Sequence, residues 1–372
     1  MRHNPTAKKL HSKINKSFHG RIPPARNFCR LIRRKIYPRI RLRSHHNFKY
    51  TSNDLLDALT HVAMTRDFTT NGTRTFRLLR KDAPSPNTVL YRVGKLEAQE
   101  VLEMFGDCFE ETHKIAKTYG AFKRRVDVAI DITDQLYYGD KNDIMVLPTK
   151  PRNGTTYAYR FATINVVVSG QRFTLLALPM NRFTTKAEIV GKLIEHARKK
   201  VHIGTVYLDR GFFSVKVINL LKKLGVKFLM PAVKNPKVKR LINEHGAPTI
   251  LEYRMIGAYF KLVIVNAEKN VKRVFATNLD VNEGNAWRLS DLYGKRWGIE
   301  TSYRVKNLFR AKTTSKRYVI RLFYFSFSVC LYNLWILANI FVGIIYSQAP
   351  EKLLITAKVF GTLLYALPGN GG

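Results

Sequence analysis

Acid is what this sequence most lacks. Of 372 residues, 26 are Asp or Glu against 64 Lys or Arg, and the formal net charge is +38. Residues 1–53 hold fifteen Lys or Arg and no acid at all. An imbalance this large draws polyanions, nucleic acid first, with an anionic membrane surface or a ribosome as the plain alternatives. Cysteine is nearly missing too. Cys29, Cys108 and Cys330 are far apart and form no CxxC pair. That argues against a zinc ribbon or a disulfide framework and fits a reducing cytoplasm. No apolar run follows the basic N-terminus, so a secretory signal is not indicated; a transit peptide or a nucleic-acid-binding arm explains the same residues, and the arm is preferred. There is no GxxxxGK[ST] loop, no His-x3–5-His pair and no GxSxG elbow, which leaves ATP-driven motors, zinc enzymes and elbow-type hydrolases without support. His196-Ala-Arg198 is a poor start for the Arg/His cluster of a tyrosine recombinase. Internal repeats and long low-complexity tracts are also absent.

One stretch lacks charge altogether. Leu322 to Ser347 is long enough to span a bilayer and follows a basic run. It also contains Ser326, Ser328, Asn333 and Asn339. A buried helix closing a large core explains it as well, and a protein with no membrane association is the preferred reading.

Apolar spacing and turn residues divide the rest. Residues 1–53 read as a flexible basic arm, with helical turns near 28–40. Residues 54–120 read as a helical DNA-binding module. One helix runs through Leu55, Leu56, Leu59 and Val62 behind Ser52 or Asn53 as cap. Another covers Thr75–Leu79, one begins at Ser85-Pro86, and a long amphipathic one covers Lys95–Thr118. Short helices between turns suit a helix-turn-helix, and a plain helical cap is the alternative. Near Val126 the period changes to that of strands. Val126–Ile132, Tyr159–Val168, Arg172–Leu178, Gly204–Leu208 and Val226–Met230 read as strands, with helices at Ala187–Lys199 and Ser214–Leu224 and a hairpin signal at Ser169-Gly170-Gln171. That order describes a mixed α/β sheet flanked by helices. A β-rich insertion follows at about 232–286, then helices at Trp287–Phe309 and Val319–Ile345. The catalytic part would span 121–346, leaving 347–372 as a C-terminal tail.

The few acids then acquire meaning. Asp131 closes the apolar run Val126–Ile130, and Asp209 closes Thr205–Leu208. Glu300 is the one acid in residues 295–321, which hold nine Lys or Arg. Phosphodiester chemistry uses such a set, because two divalent ions about 3.5–4 Å apart activate the attacking oxygen and stabilise the leaving one. Mg2+ takes hard oxygen ligands, with Mn2+ able to substitute. Each acid also has a plain reading. The two Asp could form turns or cap helices. Glu300 could pair with Arg296 or Arg304 at a spacing of four. Asp127, four residues before Asp131 and on the same strand face, competes with it; Asp134 and Asp140 are weaker rivals.

The run Tyr293-Gly-Lys-Arg296-Trp297-Gly-Ile-Glu300 resembles the Tyr-x2-Arg-x3-Glu signature of IS4-type DDE transposases. Val128-Ala-Ile-Asp131-Ile-Thr133 and Tyr207-Leu-Asp209-Arg210-Gly211-Phe212 resemble that family's two Asp motifs, and Phe275-Ala-Thr-Asn278 the strand closing its insertion. The resemblance covers about residues 126–340. It implies a ribonuclease H-like fold, with Asp131 and Asp209 on adjacent strands and Glu300 on the helix after the insertion. It implies catalysis and binding of two Mg2+ by those three acids, cleavage at the ends of a DNA element, and attack of the freed 3′-OH on target DNA. A homodimer holding two ends in the cytoplasm would follow. At about 100° per residue, Tyr293 lies close to Glu300 around the helix and Arg296 about 60° away. The expected DNA contacts are Tyr293, Arg296, Trp297, Arg210, Arg304 and Lys306. The family's Lys, seven residues after Glu, is Asn307 here, so Arg304 on the Glu300 face is expected to replace it, ahead of Lys306. The rival functions are a DNA-binding protein that no longer cuts and a basic membrane-anchored protein.

Overall fold

The computed structural model describes residues 24–43, 48–168, 171–266, 271–345 and 353–365. In chain order the helices and strands are α1 (Pro24–Leu31), α2 (Ser52–Thr65), α3 (Thr69–Leu79), α4 (Pro86–Gly94), α5 (Ala98–Thr118), β1 (Val126–Leu136), β2 (Val146–Arg152), β3 (Thr155–Val168), β4 (Gln171–Met180), α6 (Lys186–Arg198), β5 (Ile203–Tyr207), α7 (Val215–Lys223), β6 (Lys227–Pro231), α8 (Pro236–Glu244), β7 (Thr249–Met255), β8 (Ala258–Asn266), β9 (Lys272–Thr277), α9 (Arg288–Leu308), α10 (Tyr318–Ile345) and α11 (Ala357–Tyr365). They form two compact units. One comprises Met1–Ala121, Tyr138–Asp140 and Tyr303–Gly372; the other Phe122–Tyr137 and Lys141–Ser302. The units follow contacts, not the ranges expected from the sequence, because Tyr303–Gly372 group with the N-terminal helices.

The helical unit starts earlier than its sequence suggests. Residues 24–43, expected to belong to a flexible arm, have the helical turns expected near 28–40, as far as Arg39, but they bury Phe28, Ile32, Ile36, Tyr37, Ile40 and Leu42. Their arginines find the module's acids: Arg33 pairs with Asp57, Arg39 with Glu111 and Arg43 with Glu100, each at 2.6 Å. Residues 1–23, where much of the arm's charge sits, lie outside the described residues. α2 is capped one residue before the expected positions. The Thr51 hydroxyl accepts from the Asp54 amide and the Asp54 carboxylate accepts from the Thr51 amide, a reciprocal pair that satisfies two otherwise open donors. Ser85 caps α4 with Pro86 in the first turn.

The charge-free run is α10, and 83% of its most apolar window is buried within the protein. It packs along α4 and α5, with Phe323 and Phe327 against Phe105 at ring separations of 5.2 and 6.2 Å. Two of its polar residues, Ser328 and Asn339, have protein partners. Ser328 donates to Phe325 O at 2.7 Å, and the Asn339 amide accepts from Ile355 N at 2.8 Å and donates to Ile355 O at 3.2 Å. Residues 357–365 of the expected tail are α11, which packs on α2 and α10.

The second unit is a nine-stranded mixed sheet in the order β2-β3-β1-β5-β6-β9-β8-β7, with β4 also on β3. β1, β5 and β6 run parallel to one another, and the remaining pairings are antiparallel. This is the expected ribonuclease H-like sheet with flanking helices. α6 packs on β3 and β4, and α7 on β6 and β8. β1 does not stop at Ile132 but continues to Leu136, because β3 pairs with it as far as Leu136↔Ala158. Asp131 is therefore inside a strand. β2 was not legible from its sequence, where Pro148, Lys150 and Pro151 break the strand pattern. It is an edge strand, where Pro is tolerated, closed on β3 by a turn with Asn153 at φ 46° and Gly154 at φ 79°. The insertion strands do not form a separate sheet. β9 pairs with β6 and carries β8 and β7 outward, so the insertion extends the central sheet. Asn278, just past β9, fastens it by accepting from Phe228 N and donating to Val226 O, both at 2.9 Å. The helix α8 was missed, although Asn235-Pro236 is a sound start signal and Asn235 does cap it.

Candidate active site

β1 and β5 are neighbouring parallel strands with Ala129 opposite Tyr207. Two residues further along β1 comes Asp131, and two residues past Tyr207, just beyond β5, comes Asp209, so both acids fall toward the same end of the two strands. Asp131 is 8% exposed. One of its oxygens accepts from the Ile132 amide at 2.9 Å, and the other lies 3.9 Å from the Arg296 guanidinium.

Asp209 stands before a single 3-10 turn, Arg210–Phe212, yet its side chain makes no capping bond. Its side chain therefore does not act as a helix cap, although its carbonyl accepts from Phe212 N at 3.1 Å. Its Oδ1 is buried and, among the described residues, has no hydrogen-bond partner. A Cβ at Gly211 would come within 2.9 Å of that oxygen, so glycine there leaves the carboxylate room. A buried carboxylate oxygen with no donor is a costly arrangement unless a cation completes it. This donor fits a hard divalent ion. Among the described residues no group of three His, Cys, Asp or Glu gathers as a metal cluster. The side chains of 297–302, including Glu300 and Trp297, lie outside the described ones; their backbone is helical within α9.

α9 brings cations to these acids. Arg296 is 7% exposed and lies over the Tyr293 ring, 5.3 Å from its centre. The Tyr293 hydroxyl donates to Leu208 O at 3.3 Å, linking the helix to the residue before Asp209, and its ring packs on Phe275 at 5.4 Å. Burial pushes the Tyr293 phenol up to about 12, against the pull of Arg296; the nearby Asp209 and Asp131 charges push the same way as burial. The group stays protonated at neutral pH, a donor and not a base.

Asp127 proves to have another occupation. One oxygen accepts from Thr205 N and the other from the Tyr207 hydroxyl, both at 2.9 Å, and Lys295 of α9 approaches to 3.8 Å. A Cβ at Gly204 would meet the first oxygen at 2.6 Å, so the glycine makes this clasp possible. Asp134 is held by Arg160 and Thr149. Burial alone would raise its carboxyl, but those hydrogen bonds prevail and bring it below the usual range.

Of the remaining expected residues, Arg210 is exposed beside Asp209 and Arg304 is exposed on α9. Lys306 is 1% exposed, its ammonium 4.6 Å from the Tyr303 ring centre and 5.1 Å from that of Tyr332. Sequence reasoning did not find Tyr207, Thr205, Gly204 and Lys295, the partners of Asp127; the Gly-Thr-Val-Tyr run carries no signature beyond a strand.

Comparison with known proteins adds an independent line. Residues 149–334 match the family model described as the transposase DDE domain. The match is half of the chain; it takes in Asp209 and Glu300 and begins after Asp131. Comparison with curated proteins finds no match. Among solved structures, the piggyBac transposase synaptic complex with hairpin DNA superposes with a TM-score of 0.57 at 13% identity, covering 96% of this chain and 79% of that one. The Mos1 strand transfer complex is also found, at 13% identity over 60% of this chain and 71% of that one, but its TM-score of 0.17 gives it no weight. The first likeness concerns the fold, and the family match concerns the chain itself: this protein belongs to the transposase DDE-domain family and is a DDE transposase.

Proposed function

We propose that Asp131, Asp209 and Glu300 are the acids with which this transposase cuts DNA at the ends of its element and joins the freed 3′-OH to target DNA. What supports this reading is that Asp131 and Asp209 fall toward the same end of neighbouring parallel strands, with a buried oxygen on the second that has no hydrogen-bond partner among the described residues. The family uses divalent metal ions, and Mg2+ is the proposed one, with two ions shared by the three acids. When bound, such ions supply Lewis-acid polarisation of the scissile phosphate and lower the pKa of an attacking water. The chain's own residues do the rest. Arg296, 3.9 Å from one Asp131 oxygen, helps to orient that carboxylate. Tyr293, held to Leu208 O, fixes the distance between α9 and the end of β5. Arg210 and Arg304 present exposed guanidinium forks suited to backbone phosphate, and Trp297 is a further proposed contact. Lys306, enclosed by two aromatic rings, is the weaker candidate, which keeps Arg304 as the replacement for the family's Lys. The helices of 54–120 and the basic residues 1–23 are proposed to supply DNA affinity, and a homodimer to hold the two ends. Membership of the IS4 group rests on the Tyr-x2-Arg-x3-Glu helix.

The direct test is Asp209→Asn. Mg2+-dependent cleavage of end-bearing DNA should fall by about a thousandfold or more, as for removal of a central catalytic group. DNA affinity measured without divalent ion should stay as in the parent, and the melting temperature should hold or rise, because the orphaned buried charge is gone. Cleavage at the parental rate would remove Asp209 from the chemistry.

A further inference from the structure

Beyond the end of α9 the chain turns at Phe309 and Arg310, whose amides donate to Lys306 O and Asn307 O. The eight residues from Arg310 to Arg317 are Arg-Ala-Lys-Thr-Thr-Ser-Lys-Arg, four cations and three hydroxyls with no acid. The segment is fixed in place within the helical unit. Lys312 N donates to Asp67 O at 2.9 Å, and Lys312 forms a parallel bridge with Phe68. Arg321 of α10 donates from Nε to Ser315 O at 2.7 Å, and Arg317 donates to Gly94 O. These ties set Arg310 beside the turn between α2 and α3, where Arg66 sits in the left-handed conformation at φ 54°.

The arginines here are not equivalent. Arg317 and Arg321 have carbonyl acceptors. Among the described residues no oxygen accepts from the Arg310 guanidinium, although the residue is half-buried. Burial, then Arg321, then Arg66 push its guanidinium down to about 10, so the charges that face it are cations. Like charges gathered with partial loss of solvent are unfavourable until an anion joins them. A planar guanidinium answers two oxygens of a phosphate at once.

We infer that Arg310, with Arg66 beside it, is a binding site for a phosphodiester of the DNA backbone. The site rests on the protein's reading as a DNA-acting enzyme, but not on the three acids. It positions DNA and carries no base specificity, since phosphate contacts fix register and do not read sequence.

The test is Arg310→Gln in the full chain, with duplex DNA binding followed by anisotropy across a salt series without divalent ion. Cleavage does not enter this readout, so failure of the catalytic assignment leaves it untouched. Binding should weaken on the order of tenfold, and the slope of log K against log salt should shrink by about 0.9, the loss of one phosphate contact. Arg310→Lys keeps the charge without the fork; it should keep the slope and recover part of the affinity, and it serves as the folded control if the Gln variant melts early. Inorganic phosphate is the second probe, read by melting temperature, and should stabilise the parent more than Arg310→Gln. An unchanged DNA affinity and slope in Arg310→Gln overturns the inference. Stabilisation by inorganic phosphate with an unchanged DNA slope also overturns it, in favour of a free-anion site.

Discussion

Asp127 and Asp131 on β1, and Asp209 just past β5, put carboxylates at two levels, and the levels are built on opposite plans. At the lower level, both oxygens of Asp127 are engaged by Thr205 N and the Tyr207 hydroxyl, Gly204 makes room for one of them, and Lys295 stands 3.8 Å away. Burial, and then Asp127 beside it, pushes the Tyr207 phenol far above its ordinary value, so its proton stays in that bond. At the upper level, Asp209 Oδ1 is buried with no donor among the described residues, and Gly211 leaves the space beside it clear. The contrast separates two uses of the same side chain. A carboxylate that holds strands together has its lone pairs satisfied by the protein. One proposed to receive a cation keeps a lone pair open, at a cost that the fold carries. The lower level also ties together β1, which carries Asp131, β5, which leads into Asp209, and α9, which carries Glu300.

The comparison breaks most decisively on a pair of substitutions. Asp131→Asn should lower divalent-ion-dependent cleavage by about a thousandfold. Asp127→Asn, whose amide oxygen can still accept from Thr205 N, should lower it by less than about tenfold. Both should bind DNA as the parent does. The reverse order, with Asp127→Asn silent in cleavage and Asp131→Asn active, would exchange the roles of the two levels.

Residue pattern made much of this legible, and its failures are physical. The strand runs around Asp131 and Asp209 are apolar and short, so a mixed sheet flanked by helices could be read from them. The helix bearing Tyr293, Arg296 and Glu300 came from its spacing and signature. What could not be read was which of Asp127 and Asp131 is engaged, since both lie on one face of one strand; only the register against Thr205 and Tyr207 decides it. The arm misled because its arginines look solvated in isolation. Their partners Asp57, Glu100 and Glu111 are 24, 57 and 72 residues away. β2 was hidden by its prolines, which an edge strand tolerates.

A smaller effect, on stability instead of chemistry, sharpens the lower level. Asp127→Ala leaves Thr205 N–H and the Tyr207 hydroxyl without their acceptor. Each such loss costs about 1–3 kcal/mol, and part of the pair is solvent-reachable, so a total of about 2–4 kcal/mol is expected in urea unfolding followed at equilibrium. Asp209→Ala should cost less, having no hydrogen bond to lose. If Asp209→Ala is the more destabilising of the two, the upper carboxylate is structural and the distinction between levels fails.

The smallest effect concerns the link between α9 and the upper level. Tyr293→Phe removes one 3.3 Å hydrogen bond to Leu208 O and keeps the ring on Phe275 and under Arg296. One such bond is worth about 0.5–1.5 kcal/mol, so cleavage should fall by less than about tenfold. Its phenol, held up to about 12, is protonated throughout an assay window of about pH 6–9, so the pH profile of the variant should keep the parental shape. A limb of that profile that vanishes in Tyr293→Phe would mean the phenol exchanges a proton during the reaction, and the upper level would then hold a general acid beside its open carboxylate.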